Sequence, residues 1–168
     1  LESPSFYRHW LEASGKKDIK VEEWQKAENT EERLLSGWND DTTAYQEKRE
    51  ITFELVRTTH LYTGPPVAQV KRTHWSSITK DRCVVHLQVE MDGIPFANCF
   101  NLQIRCVATN RGGNTLGIEV GLYVNFIQQT LLASKIRSGT TKETTKAQRS
   151  LQKAALDECV KLAPNGRE

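Results

Sequence analysis

From Arg49 to Leu122 apolar residues return at every second position in four separate runs. Ile51, Phe53 and Leu55 alternate with Glu50, Thr52 and Glu54, and Cys83, Val85, Leu87 and Val89 oppose Val84, His86, Gln88 and Glu90. Phe100, Leu102, Ile104 and Cys106 repeat the pattern, as do Leu116, Ile118, Val120 and Leu122. A period of two places such residues on one face of a strand. With Val70 to Ile78, these runs predict a meander of about five antiparallel strands, dry on one face and wet on the other. Asn110-Arg111-Gly112-Gly113-Asn114 supplies a hairpin signal, and Asp92-Gly93-Ile94-Pro95 breaks the chain earlier.

The flanking segments read differently. Ser3-Pro4-Ser5 offers a capping serine and an early proline, Phe6, His9, Trp10 and Ala13 recur at helical spacing, and Gly15 ends the run. Ile19 and Val21 alternate in a short extended piece that runs on to Trp24. The 29–47 segment keeps no sustained period and reads as a loop with a short turn of helix at Glu31 to Leu35. Asn125 to Leu162 lacks proline and is rich in Gln, Lys, Ala and Leu, enough for a helix of about 55 Å that can cross the whole sheet. Its "GTTKETT" stretch, Gly139 to Thr145, is small and polar where a core helix carries Leu or Ile. The helix therefore bends at Gly139, or that turn faces solvent or a cavity.

One connection does not fit a tight hairpin. Between the strands of Ile51 and Val70, Gly64-Pro65-Pro66 sits among Leu61, Tyr62, Val67 and Ala68, and prolines remove amide donors and fix φ. An apolar loop of this kind covers something or touches something.

Composition narrows the partners. A net charge of +2, from 23 basic and 21 acidic residues spread along the chain, gives no field to hold a nucleic-acid duplex. With 38% hydrophobic and 26% charged residues the composition is globular, and no apolar run approaches the ~20 residues of a bilayer span. The 168 residues fit one domain, 1–168, expected to be monomeric and, since it opens on Leu1 just before a helix, to be excised from a longer chain. Cys83, Cys99, Cys106 and Cys159 form no C-x-x-C pair and read as buried, reduced thiols.

No catalytic constellation is visible. His86, Glu90 and Glu54 share polar faces without metal-ligand spacing, His60 and His74 flank the apolar loop as solvated strand-end residues, and Gly112-Gly113 lacks the helix that a phosphate cradle needs. No enzyme activity, cofactor or metal is expected. A wide sheet, a half-polar long helix and an apolar loop together suit a lipid-sized cleft with a lid.

The order of these features resembles the VASt domain, the START-like sterol-transfer module of Lam-type and Aster-type proteins and related plant proteins. "SFYRHWLEASGKKDIKVEEW" is similar to the family's opening helix and tryptophan, "REITF" to its Arg-x-hydrophobic-x-aromatic strand, and "TGPPVAQVKRTH" to its Gly-Pro loop and next strand. "GIPFANCFNLQIR" and "YVNFIQQTLLASKI" are similar to its Pro-aromatic strand and strand-to-helix junction. This sequence departs from the family's pattern in carrying Pro66 where a Lys is common, and Leu131 and Leu132 where a Trp is common early in the last helix.

The resemblance implies an α+β helix-grip fold holding one sterol or similar lipid. The strands' dry faces would line the cavity through Phe53, Leu55, Val85, Leu87, Phe100, Leu102 and Ile104. Val120, Leu122, Phe126 and Thr130 would complete it. Leu61, Tyr62, Gly64 and Val67 would belong to the lid, and Lys71 and Arg72 would face the membrane. Polar contacts to a sterol hydroxyl would come from Gln69, Gln128, Gln129, Thr130 or Ser134. The resemblance also implies transient contact with anionic lipid at the cytosolic face of membranes, including endoplasmic reticulum contact sites reached through a parent chain. A regulatory interaction module and a cyclase-type enzyme acting on a polycyclic substrate are the alternative readings.

Overall fold

The computed structural model describes residues 3–27, 43–56, 66–113 and 115–162. Helix α1 (Pro4–Ala13) starts where Ser3 accepts a hydrogen bond from the Phe6 N–H at 3.5 Å, with Pro4 in the first turn. Gly15, at φ 73°, then turns the chain out of it. The buried stripe of α1 is Tyr7, Trp10 and Leu11; His9 and Ala13, which share the helical spacing of Phe6 and Trp10, are exposed. The heavier aromatic and aliphatic groups win the core face because they remove more apolar area from water.

The strands are β1 (Lys17–Val21), β2 (Gln25–Lys26), β3 (Glu47–Val56), β4 (Val67–Ile78), β5 (Arg82–Asp92), β6 (Phe100–Asn110) and β7 (Leu116–Phe126). They form one seven-stranded antiparallel sheet in the order β1-β3-β4-β5-β6-β7, with β2 also on β3. The expected five-strand meander is present as β3 to β7, and the short "DIKVEEW" piece adds the first edge. At the β6–β7 hairpin Gly112 and Gly113 take φ 79° and 56°, and Asn110 Oδ1 accepts the Gly112 N–H at 2.9 Å. The 3-10 turn Ala97–Cys99 sits between β5 and β6.

Helix α2 (Ala133–Leu162) runs unbroken through the Gly139 to Thr145 stretch. It packs beside β7 at its start, where Arg137 lies 5.2 Å from the Phe126 ring centroid. Farther along, Ser150 Oγ accepts from Trp10 Nε1 at 3.4 Å and Leu151 joins the core. The helix thus crosses the inner face from β7 toward α1. A Cβ at Gly139 would meet nothing within 4 Å, so that position is solvent-facing and not a close approach.

The inner face carries the main core: Ile51 and Phe53 of β3, Val70 of β4, Leu87 and Val89 of β5, Phe100, Leu102 and Ile104 of β6, and Val124 of β7, closed by Tyr7, Trp10, Leu11 and Leu151. The outer face is not uniformly wet. A second cluster of Tyr45, Trp75 and Val84 lies there with Val107, and His86 stands edge-on to Tyr45 and Trp75, with centroids 6.0 and 5.7 Å away. The chain at Thr43–Tyr45 passes over this face, where Arg105 donates to Thr43 Oγ1 at 3.4 Å. His86, expected on a solvated face, is therefore buried.

None of the four cysteines forms a disulfide; Cys99 is buried, Cys83 and Cys106 are half-buried and Cys159 is exposed on α2. Burial, and then the neighbouring Cys83, raises the pKa of the Cys106 thiol.

Candidate functional site

Register fixes which side chains share the inner face. Leu102 lies opposite Val89 and Val124, Ile104 opposite Leu87 and Leu122, and Phe100 opposite Phe126. On the other side Phe53 pairs with Val70, Ile51 with Arg72 and Arg49 with His74. The alternation predicted from the sequence therefore brings Phe53, Leu55, Val85, Leu87, Phe100, Leu102, Ile104, Val120, Leu122 and Phe126 onto one surface.

These residues are not equally open. Phe53, Leu87, Phe100, Leu102 and Ile104 are buried among their neighbours, whereas Leu55, Val85, Val120, Leu122 and Phe126 keep part of their surface. Along α2, Ile136, Thr140 and Thr144 are half-buried and Ile136 packs against the core; the two threonines are smaller than the Leu or Phe that would fill a helix-to-sheet gap.

Val67 departs from the expected set. It pairs with Val56, one step out of phase with Ala68 and Leu55, and so lies on the outer face. Thr130 stands in the link between β7 and α2, where its hydroxyl accepts the Leu132 N–H at 3.2 Å. Leu61, Tyr62 and Gly64 lie outside the described residues, as do His60 and the Glu31 to Leu35 turn.

Lys71 and Arg72, neighbours in sequence, point to opposite faces. Lys71 is on the outer face with its Nζ 3.0 Å from Glu50, and that hydrogen bond raises its pKa against a smaller desolvation effect. Arg72 turns inward, in phase with Val70, and donates to the Tyr7 hydroxyl at 3.2 Å. Its guanidinium lies 4.9 Å from the Phe53 ring centroid and 5.9 Å from that of Trp10. The expected shared basic patch of Lys71 and Arg72 is thus divided by the pleat.

Arg72, half-buried, belongs to an inward basic group with Arg49 and His74 that counting apolar positions alone does not pick out. Arg49 is 2% exposed and stacks over Trp24 at 4.3 Å and Tyr7 at 5.2 Å. His74, 1% exposed, stands edge-on to Tyr7 and carries an Nε2 without a hydrogen-bond partner. Burial first, then the charges of Arg49 and Arg72, holds its pKa well below the ordinary 6.5, so it is neutral in the fold. Lys16 is half-buried nearby, and burial and then Arg72 lower its pKa. The signal was present in the alternation: Arg49 is in phase with Ile51 and Phe53, and Arg72 and His74 with Ala68 and Val70. His74 is accordingly an interior residue of β4, not a solvated strand-end residue.

The polar side chains expected near a sterol hydroxyl are mostly outside this face. Gln69 is exposed and donates to Glu54 at 2.9 Å, and Gln128, Gln129 and Ser134 are exposed. Inside, the Tyr7 hydroxyl, Arg72 and the buried Gln148 of α2 stand beside Arg49 and His74 as polar groups.

By topology, β3, β5 and β7 end, and β4 and β6 begin, at one end of the sheet. An open groove of about 640 Å³ lies at that end, lined by Phe126 to Leu131 and Ala133. It borders the open side of the inner face and not the packed Leu102 and Ile104. No group of His, Cys, Asp or Glu suited to a metal occurs among the described residues, and no described helix is long and apolar enough to cross a membrane.

A curved antiparallel sheet gripping one long C-terminal helix over an apolar inner face defines the helix-grip class of START-like lipid-binding domains. The profile of the VASt family, the VAD1 Analog of StAR-related lipid transfer domain, matches residues 1–143, and the chain belongs to that family. The match ends partway along α2. No curated protein matches the chain.

Proposed function

We propose that this domain binds a sterol or similar lipid against its inner face and carries it between membranes, with no covalent bond made or broken. The observation that supports the reading is the unequal packing of that face: Val120, Leu122 and Phe126 of β7 are only half-buried, and Phe126 opens into the groove at the sheet's end. A sterol of roughly 30 heavy atoms, at ~0.3 kcal/mol per atom, would gain about 9 kcal/mol, a sub-micromolar affinity drawn from shape and dryness. The Tyr7 hydroxyl, Arg72 and Gln148 supply the inward polar groups for an oxygen on the ligand. The loop of Leu61, Tyr62 and Gly64 acts as the lid, a monomer suffices, and Lys71 adds a cation for transient contact with anionic lipid at the cytosolic face of membranes, endoplasmic reticulum contact sites included.

Native mass spectrometry after incubation with cholesterol or ergosterol tests the binding, and fluorescent-sterol exchange between liposomes tests the transfer. A mass shift of one sterol and accelerated exchange are expected. Recovery of a chemically altered sterol would replace transfer by catalysis, and absence of both sterol binding and exchange would favour the interaction-module reading.

A further inference from the structure

We propose that the β7–α2 junction, Ile127 to Leu132, is the edge by which the domain docks on an anionic bilayer. Leu131 and Ile127 would enter the headgroup boundary, and Lys135 and Arg137 would lie at the phosphates. The proposal deepens the transfer reading above and rests on it for the choice of a membrane as partner. Leu131 is fully exposed, Ile127 is 63% exposed and Leu132 is 36% exposed, so three large apolar side chains meet solvent within six residues. Single exposed leucines are ordinary on a protein surface; a cluster at the rim of a groove marks an interaction site.

The junction is held at its base. The Ile127 N–H donates to Cys99 O at 2.8 Å and the Gln128 N–H to the same oxygen at 3.2 Å, which fixes it to the 3-10 turn beside Phe96, itself 40% exposed at φ 64°. A tethered apolar tip loses little conformational entropy on insertion.

Charge selects the partner. From Val120 to Lys142 the sequence has no Asp or Glu, while Lys135, Arg137 and Lys142 are present, and Gly93 to Asn101 is uncharged. The carboxylates of this end lie across the sheet: Glu54 accepts from Gln69, and Asp92 accepts the Gly93 N–H at 2.7 Å. The opposite end also exposes Leu116 and Ile118, yet there Arg111 faces Glu119 at 3.8 Å and Asp81 stands between Lys80 and Arg82. Apolar tips on a segment that carries cations and no carboxylate match an anionic lipid surface, since juxtamembrane cations are attracted to it and apolar tips gain by leaving water.

Flotation with phosphatidylcholine vesicles, with and without phosphatidylserine, tests this on the intact chain. Leu131→Ser combined with Ile127→Ser is expected to weaken vesicle binding about tenfold or more, as burial of side chains of this size implies, and Lys135→Gln with Arg137→Gln to erase the preference for phosphatidylserine. Sterol capture from cyclodextrin, without vesicles, is measured alongside on the wild-type chain. Unaltered vesicle affinity in the Leu131 and Ile127 variant overturns the proposal. So does loss of a concentration-dependent dimer without loss of vesicle affinity, which would make a second copy the occupant. A chain that captures no sterol in any form but loses vesicle affinity on these substitutions sinks the transfer reading and upholds the docking edge.

Discussion

On the β3–β4 side of the inner face the sheet carries Arg49, Arg72 and His74, and α1 seals them with Tyr7, Trp10 and Leu11. On the β5–β7 side the same face is apolar, its last strand keeps Val120, Leu122 and Phe126 half-buried, and α2 carries half-buried Ile136, Thr140 and Thr144. The first half contains the costlier groups and the denser cover. Buried guanidinium groups lose hydration, and aromatic faces and hydroxyls must surround them to offset that cost. The second half contains the cheaper groups and the thinner cover. Apolar side chains tolerate a gap without an unsatisfied donor or acceptor, so room for a lipid is best left there.

The sharpest way to break this contrast is to remove equal volume from both halves. Leu11→Ala, at a fully buried site, is expected to cost about 2–5 kcal/mol. Leu122→Ala, half-buried, is expected to cost about half of that or less, since less apolar area leaves water at that site on folding. Urea unfolding of both variants decides it: equal losses would mean that the β7 side is packed as tightly as the α1 side.

The second test concerns the neutral His74. Burial and the charges of Arg49 and Arg72 depress its folded pKa well below 6.5, while Tyr7 and Trp24 supply rings and no counter-charge. Below pH ~6.5 the unfolded chain takes up a proton there and the folded chain does not, so the unfolded state gains. Stability is then full above ~6.5 and falls by up to ~1.4 kcal/mol per pH unit as the pH drops toward the folded value. Unfolding of wild type and His74→Gln at pH 7.5 and 5.5 isolates this residue, the variant being expected to lose less on acidification. Equal pH dependence would remove His74 from the account.

Gly139→Ala should stabilise by about 1 kcal/mol, because the added methyl meets nothing and alanine is the better helix former. A loss of melting temperature in that variant would restore the bend. The smallest effect belongs to Lys71. Its pair with Glu50 is solvent-exposed on the outer face, so Lys71→Ala is expected to change stability by less than ~1 kcal/mol. A larger loss would show that the outer face at β3–β4 contributes more than its exposure suggests.

Much of the architecture was legible because period-two alternation is dictated by the pleat itself. Ile51, Phe53, Leu87, Leu102 and Ile104 are assigned to one face by counting alone, and the Ser3-Pro4 start and the Gly112-Gly113 hairpin by local stereochemistry. The polar members of that face are harder to place for a related reason. Adjacency groups Arg72 with Lys71, although its phase puts it with Val70. An isolated histidine carries no local sign of burial; His74 and His86 are each buried by rings brought from elsewhere, Tyr7 and Trp24 in one case and Tyr45 and Trp75 in the other.

By itself the sequence determined the strands, their dry faces, the long last helix and the family, all of which follow from local period, turn stereochemistry and the order of motifs. Only the tertiary structure decided how each face is covered. Whether Leu122 is covered or half-open, and whether Leu131 meets water or protein, depends on where α2 crosses the sheet. That crossing is set by contacts between residues as far apart as Trp10 and Ser150, which no local pattern encodes.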